Sequence, residues 1–400
     1  MRDRQQSVPD NSPNERKLIS KSPSMSANSI TYAFESDAEL RDQYRNPWGN
    51  VRVGRLLEDL DALAGTVAFE HCQAPGEQPL LLVTASVDRI VYRHRPNLKD
   101  DIVVTGQPNW VGRSSMEIGI VARSTWAEEA FLEASFTFVA RDPETNRPAS
   151  INPLKCETDE EAARFKLGQA RDEARKALRK RAKESALGHA LDEETTASAH
   201  ELLVRSKRLL SMPALADPGE ILLSETRLQN ALIAQPQQRN TAGRVFGGFL
   251  MRRAFELAHT TAYLFAGRRP IFLELDEVKF ASPVSVGDLV KLESCVLFTS
   301  EAMDIKARHT VHVEVLAQVI QPERRSAVTS NVFNFTFGVA ENADGTGRAS
   351  KKGDPDEPVL RRVLPATHEE SYRIMERYKA DLAQRAEDEA ALLAERCEAD

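Results

Sequence analysis

The chain has 400 residues, of which 41% are apolar and 28% are charged, and its formal net charge is −7. This length and apolar content are enough for about two domains that each bury a core, and the negative charge argues against a nucleic-acid-binding protein. The four cysteines lie far apart without a C-x-x-C pair, which is typical of free thiols and not of a disulfide framework or a zinc site. No apolar run approaches the roughly 20 residues of a membrane-spanning helix, so we expect a soluble chain.

Residues 1–28 are predicted to form a disordered tail, because they contain many Ser, Asn and Arg residues and lack hydrophobic periodicity. Asp3, Asp10 and Glu15 are unlike a mitochondrial transit peptide, which is poor in acidic residues. A weak or truncated mitochondrial signal remains an alternative interpretation of this tail.

The chain contains an internal repeat, in which residues 46–54 (NPWGNVRVG) match residues 240–248 (NTAGRVFGG). A helical pattern of about 17 residues follows each segment, and then apolar residues alternate as in an antiparallel sheet of about five strands. A charged helix that starts with a capping box comes after each sheet, at Thr158 and at Thr367. The repeat predicts an α+β fold of two similar units, related by a pseudo-twofold axis as in a fused dimer.

Changes in composition and charge predict six segments. They are a tail over 1–28, a first domain over 29–156, a charged helical linker over 157–215, a second domain over 216–340, a flexible linker over 341–357 and a charged C-terminal helix over 358–400. In each domain the sheet must wrap the long helix, because one face of that helix is strongly apolar.

Asp61 is the first candidate for chemistry, because it stands in the apolar stripe of the first long helix. With Leu57 as zero and about 100° per residue, Asp61 falls at about 40°, inside the stripe. Other members of that stripe are Leu60, Ala64, Val67 and Ala68. The second helix carries Phe255 at the matching position. A buried carboxylate costs several kcal/mol unless it has a partner, so Asp61 is either functional or a structural carboxylate that caps a loop or pairs with an arginine.

Seven stretches of the chain are the most specific for comparison with known families. They are RVGRLLEDLDALAG, VTASVD, NWVGRSSMEI, FTFVARD and NPL in the first unit, and PQQRNTAGRVFGGFLMRRAFELA and NVFNFTFG in the second. In this order they resemble the acyl-CoA thioesterases that fuse two hotdog domains, most closely the mitochondrial branch. The resemblance covers residues 30 to 385. It implies two tandem hotdog domains and an enzyme that hydrolyses fatty acyl-CoA to free fatty acid and coenzyme A.

Related double-hotdog thioesterases use an Asn just before the central helix of one domain and an Asp within the central helix of the other. On this chain the Asn falls on Asn240 and Asn46, and the Asp falls on Asp61 and Phe255. The resemblance therefore implies one active site, formed by Asn240 with Asp61, whereas Asn46 opposite Phe255 is expected to be a turn or cap residue.

Thioester hydrolysis also needs a group that polarises the carbonyl and a site for the coenzyme. Backbone N–H groups at Gly247 and Gly248, or alternatively at Gly54, are candidates for the first role, because they open helices and lack side chains. Asp61 would act as a base or as a nucleophile, and Asn240 would orient water or the carbonyl. The turn with Arg113, Ser114 and Ser115 is the candidate for the coenzyme phosphates.

The sequence leaves other interpretations open. A non-catalytic acyl-CoA binding or scaffold protein of the hotdog fold is the main alternative, whereas a hydratase is disfavoured because no histidine lies near either helix start. No cofactor is expected, and no metal, because His309 and His312 point to opposite faces of a strand. We expect a homo-oligomer, a trimer or a dimer of the chain, and a mitochondrial location by resemblance, with the cytoplasm as the alternative.

Overall fold

The structure is a computed structural model that describes residues 16–127, 129–185, 193–240, 243–304, 307–339 and 360–399. Within these ranges the chain is a mixed α+β fold with six α-helices and one large antiparallel sheet. The helices are α1 (Ala38–Tyr44), α2 (Val53–Cys72), α3 (Asp159–Ser185), α4 (Glu193–Ser211), α5 (Gly247–Ala266) and α6 (His368–Ala399).

The large sheet has twelve strands. In chain order they are β1 (Asn28–Tyr32), β2 (Leu81–Val87), β3 (Ile90–Tyr92), β4 (Ile102–Val111), β5 (Ser115–Ser124), β6 (Ala130–Arg141), β8 (Leu228–Ile233), β9 (Pro270–Leu275), β10 (Val278–Lys279), β11 (Leu289–Asp304), β12 (Ala307–Gln321) and β13 (Ser326–Val339). Their spatial order is β1-β4-β5-β6-β3-β9-β13-β12-β11-β8, and β2 pairs with both β6 and β10. Strands β7 (Glu220–Leu222) and β14 (Arg362–Leu364) form a separate parallel pair.

Two pairings join the first half of the sheet, β1 to β6, with the second half, β8 to β13. Strand β3 pairs with β9, and β2 pairs with β10, both antiparallel. The strands predicted after each long helix are present in both halves, but each half also contains a strand before its helix, β1 and β8. These two strands lie at the edges of the sheet and are mostly not buried, so their sequences lack a strong alternation of apolar and polar residues.

The two long helices form the centre of the core. Helix α2 lies against the first half of the sheet, α5 lies against the second half, and the two helices contact each other. Each has 20 residues, slightly more than predicted. The predicted stripe of α2 is confirmed, because Leu57, Leu60, Ala64, Val67 and Ala68 are all 0% exposed. Burial of each leucine stabilises the fold by roughly 1.5–3 kcal/mol.

Residues 16–28 are packed against the body, in contrast to the disordered tail predicted for residues 1–28. The backbone N–H of Lys21 donates to the carbonyl of Pro153 over 3.1 Å, and the Ser26 hydroxyl lies 3.1 Å from Nδ1 of His71. Short polar side chains carry no periodic signal, yet their backbone groups find partners in the segment after the first half. Residues 1–15 lie outside the described residues.

The charged helices α3 and α6 pack on the sheet through matched ion pairs. Asp88 and Asp276, which correspond in the repeat, each pair with an arginine of the following helix, Arg175 at 3.1 Å and Arg377 respectively. The segment 157–215, predicted as a linker, contains α3 and α4, and 358–400 contains β14 and α6. The predicted flexible linker over 341–357 lies outside the described residues. Among the helices that the structure describes, none is both long and apolar enough to span a bilayer.

Helix α3 should depend on a glycine where it crosses β4. A Cβ at Gly168 would lie 2.4 Å from the Cβ of Trp110, so Gly168→Ala forces the helix away from the strand. We expect it to lower the free energy of unfolding by about 1–3 kcal/mol, measured by urea denaturation. Gly65→Ala in α2 is the matched control. A Cβ there would meet no described atom within 4 Å, so it should raise the free energy of unfolding by about 0.5–1 kcal/mol. Equal effects of the two substitutions would contradict this packing.

Candidate active site

Asp61 lies in the third turn of α2, where its side chain is buried between the two halves. The residue is only 1% exposed. The backbone N–H of Gly248, at the start of α5, donates to its Oδ2 over 2.6 Å. The carboxylate therefore sits at the positive end of the α5 dipole and satisfies one of the N–H groups that have no partner within the helix. The helix start of the second half is the partner that this buried charge requires.

The hydrogen bond between Gly248 and Asp61 requires a glycine at position 248. A Cβ there would lie 2.9 Å from the Cβ of Asp61 and also 2.9 Å from the backbone of Glu58. Gly247 is similarly crowded, because its Cβ would meet the ring of Phe280 at 2.9 Å and Oδ2 of Asp61 at 3.3 Å. The two glycines allow the start of α5 to approach the side of α2 closely.

Thr84 on β2 is the second hydrogen-bond donor to Asp61. Its hydroxyl donates to Oδ1 over 3.3 Å. The register of β2 with β6 shifts between Thr84 and Ser86, so Ala85 is an extra residue in the strand. Such bulges re-aim neighbouring side chains. Thr84 lies in the VTASVD stretch that carries the family resemblance, but an isolated threonine gives no signal that it faces a carboxylate 23 residues earlier.

Burial controls the acidity of Asp61. It raises the pKa of the carboxyl from 3.8 to about 6, because the charged form loses its hydration. The hydrogen bonds from Gly248 and Thr84 favour the ionised form and limit the rise, whereas the nearby charge of Glu58 adds to it. A carboxyl with this pKa is largely ionised at neutral pH and accepts a proton more readily than an exposed aspartate.

Asn240 and Asn46 are held in the same kind of turn, each before a long helix. Oδ1 of Asn240 accepts the N–H of Arg244 over 3.1 Å, and Oδ1 of Asn46 accepts the N–H of Asn50 over 2.9 Å. In both turns the glycine three residues after the asparagine has a positive φ, 77° after Asn46 and 73° after Asn240. Both asparagines are therefore turn residues, and the two sites differ in what lies opposite the helix start.

Gly54 opens α2 opposite an aromatic side chain. A Cβ at Gly54 would lie 3.1 Å from Cδ1 of Phe255, in the way that a Cβ at Gly248 would meet Asp61. The structure thus places Asp61 beside Gly247 and Gly248, three of the candidate residues from the sequence, whereas a ring takes the place of the carboxylate at Gly54. Among the described residues, no cluster of three or more histidine, cysteine, aspartate or glutamate side chains is arranged to hold a metal ion.

Comparison with known proteins identifies the family. The sequence is 45% identical over 381 residues to acyl-coenzyme A thioesterase 2, chloroplastic, of Humulus lupulus, which covers 93% of this chain and 84% of that protein. It is also 45% identical over 377 residues to acyl-coenzyme A thioesterase 4, mitochondrial, of the same organism, with 92% and 68% covered. The chain belongs to the acyl-coenzyme A thioesterase family. It is therefore an enzyme of the thioester hydrolase class, and the family resemblance predicted from the motifs is confirmed.

No family model matches this thioesterase. Among solved structures, an acyl-CoA hydrolase from Staphylococcus aureus in complex with butyryl coenzyme A is 25% identical, and it matches 42% of the thioesterase and 94% of that chain with a TM-score of 0.35.

The turn proposed for the coenzyme lies in this thioesterase at the end of the sheet near Val83, the residue before Thr84. Gly112 and Ser115 close the turn between β4 and β5, with a 2.8 Å hydrogen bond from the Gly112 N–H to the Ser115 carbonyl. Ser115 pairs with Val139 of β6, which pairs with Val83 of β2. Two strand spacings correspond to about 10 Å, so Ser115 lies about that far from Val83, and its side chain faces the opposite side of the sheet from Thr84. Ser114 and the exposed Arg113 directly precede Ser115 in the turn.

Asp61→Asn should stabilise the thioesterase at alkaline pH. The folded pKa of about 6 exceeds the unfolded value of 3.8, so ionisation of Asp61 opposes folding, fully above pH 6 and not at all below pH 3.8. The shift corresponds to about 3 kcal/mol, and an asparagine can keep the contact with Gly248 through its amide oxygen. We expect Asp61→Asn to raise the free energy of unfolding by up to this amount at pH 8 and by much less at pH 4, in urea denaturation at both pH values.

Asp42→Asn is the control for this prediction, because its side chain is 63% exposed. It should change the stability difference between the two pH values very little. A loss of stability in Asp61→Asn at pH 8 would show that the carboxylate stabilises the fold as a structural ion.

Proposed function

We propose that this chain hydrolyses acyl-CoA thioesters, fatty acyl-CoA in particular, to a carboxylic acid and coenzyme A. The observation that carries the proposal is the hydrogen bond from the Gly248 N–H to the buried Asp61. It joins a carboxylate of the first half to the helix start of the second half, which is the constellation that thioester hydrolysis needs. Acyl-CoA is also the substrate class in the names of the curated relatives.

We further propose that the two halves are tandem hotdog domains related by a pseudo-twofold axis. Glu58 and Arg252 support this, because both lie four residues after the last glycine of the repeat and their charged groups are 2.8 Å apart. Residues that occupy equivalent positions meet each other only near a twofold axis. The repeat also maps the two strand pairings between the halves onto each other.

The strand pairings between the halves give the second line of support for the twofold relation. Val87 pairs with Val278, and Ile90 pairs with Leu275. The match of Asp88 with Asp276 places Val87 on Leu275 and Ile90 on Val278. Each of the two pairings is therefore the image of the other, as expected for a dimer whose subunits have become fused.

In the proposed mechanism Asp61 acts in one of two ways. As a general base it takes a proton from water, the oxygen of which adds to the thioester carbonyl, and the thiolate of coenzyme A then leaves and takes up the proton. As a nucleophile its oxygen displaces the thiolate and forms a mixed anhydride, which water cleaves. In both routes the negative carbonyl oxygen would be stabilised by the N–H group at Gly247, and by that of Gly248 when it is released from Asp61.

Asn240 and the turn with Arg113 complete the proposed site. Asn240 precedes Gly248 by eight residues and would orient the water or the carbonyl through its side-chain amide. Arg113, Ser114 and Ser115 would bind the phosphates of the coenzyme at the end of the sheet near Val83. We propose a homo-oligomer of the chain, a trimer or a dimer, and a location in mitochondria or another organelle, on the basis of the relatives' names.

Matched alanine substitutions of the two asparagines test this function. Asn46→Ala and Asn240→Ala each remove a hydrogen bond from the backbone N–H four residues later, so they should lower the melting temperature by similar amounts. Only Asn240→Ala should lower kcat/KM, by about 10²-fold or more, because only that turn precedes a helix start that faces a carboxylate. Release of free thiol from short, medium and long acyl-CoAs is the assay.

Asp61→Asn completes the set and should abolish turnover while the chain stays folded. Absent turnover in the wild type, with acyl-CoA still bound, would favour a non-catalytic binding protein. Equal losses of activity in the two asparagine variants would contradict the single site.

A further inference from the structure

The end of the helix pair opposite Asp61 keeps the geometry of the site without its polar groups. Phe255 corresponds to Asp61, and the match of Asp88 with Asp276 places Phe272 on Thr84. The carboxylate and hydroxyl that bond to each other at one end are thus replaced by two rings, whose centroids are 5.3 Å apart in an edge-to-face contact. The strand bulge is kept as well, because the register of β9 with β13 skips Leu273, just after Phe272. At this end the backbone geometry matches that of the other end, whereas two aromatic side chains replace the carboxylate and the hydroxyl.

A cavity of about 300 Å³ opens at this end. Its lining includes Asn46, Trp48, Gly54, Tyr92, Phe255 and Phe272. The volume is at the lower end of the range for small-molecule sites, about 300–1,000 Å³, and an aromatic lining suits an apolar chain. The same turn and helix start that form the proposed catalytic site therefore surround an aromatic pocket.

The mouth of the cavity carries positive charge. Arg95 and Arg269 both line it, Arg95 is exposed, and the guanidinium of Arg269 lies 4.8 Å from the centroid of the Trp48 ring. Within the part of the chain that the structure describes, neither guanidinium has a carboxylate within 4 Å. The start of α2 adds the positive end of its dipole. Arginines without a carboxylate partner beside a helix start favour a phosphate-bearing ligand.

Two side chains that line this cavity could serve as a base, Glu256 and His259. The Glu256 carboxylate is already paired with Arg252 at 3.1 Å and with Arg253 at 2.8 Å. His259 lies beside Phe255, with ring centroids 6.0 Å apart. Burial lowers its pKa to about 4, so the imidazole is neutral and weakly basic at pH 7. A thioester in the cavity would meet rings where the other site has Asp61 and Thr84.

We propose that this cavity is a second coenzyme A thioester site, which binds the substrate class of the enzyme without hydrolysing it. The acyl and pantetheine end would lie against Phe255 and Phe272, and the phosphates would contact Arg95 and Arg269. The inference rests on the proposed function, because it takes the ligand class from the catalytic end. The enzyme then binds two thioesters per chain and turns over one, so its rate can respond to substrate concentration through the idle site.

The number of bound ligands per chain tests the proposal. Isothermal titration of the full-length enzyme with S-hexyl coenzyme A, a thioether that cannot be hydrolysed, should give two equivalents per chain. Arg95→Glu with Arg269→Glu should weaken one of them by about a hundredfold or more, because two charged contacts are lost and each contributes at least about a factor of ten. Arg208→Glu with Arg324→Glu changes the net charge equally on exposed positions and should leave both equivalents in place.

Turnover of hexanoyl-CoA by the wild type, measured in parallel, separates the two proposals. One equivalent with intact turnover would overturn the second site and leave the proposed function standing. Two equivalents that both survive the Arg95 and Arg269 reversal would place the extra ligand elsewhere and also overturn it. Neither binding nor turnover would overturn both.

Discussion

The contact between the Asp61 carboxylate and the N–H of Gly248 is the interaction on which the arrangement depends. It requires glycine at the start of α5, because a Cβ at Gly248 would lie 2.9 Å from Asp61. It also requires the two halves to be joined with α2 beside α5, which the strand pairs β2–β10 and β3–β9 fix. A carboxylate that is 1% exposed is tolerated because this helix start stabilises it. The sheet, the helix pair and the glycine turn therefore together position Oδ2 of Asp61 at the N–H of Gly248.

The two ends of the helix pair balance stability and chemistry differently. At the Asp61 end the fold holds a carboxyl whose pKa is raised to about 6, which costs stability at neutral pH. At the other end Phe255 packs against Phe272, Phe335 and Phe337, with centroids 5.3 to 6.0 Å apart. An aromatic cluster stabilises a core without a desolvated charge. Because both halves belong to one chain, the two ends can differ, whereas the two ends of a symmetric homodimer of identical subunits cannot.

The sequence was informative where a pattern repeats or breaks a rule. The repeat placed α2 and α5, and a carboxylate in an apolar stripe singled out Asp61 before any contact was known. Thr84 could not be found in this way, because its role depends on a bulge at Ala85 and on a helix that is distant in sequence. Strands β1 and β8 were missed because edge strands carry little apolar periodicity. The packing of residues 16–28 was also missed, since backbone hydrogen bonds to another segment leave no trace in composition.

The ionisation of Asp61 can be measured directly and compared with the pH dependence of catalysis. An infrared difference spectrum between the wild type and Asp61→Asn, recorded across pH, reports the protonated carboxyl of this one residue. We expect a transition near pH 6 that coincides with the inflection of kcat/KM for acyl-CoA hydrolysis, with activity rising as the carboxyl ionises. A carboxyl that titrates near pH 6 while kcat/KM inflects elsewhere would contradict a catalytic role for Asp61.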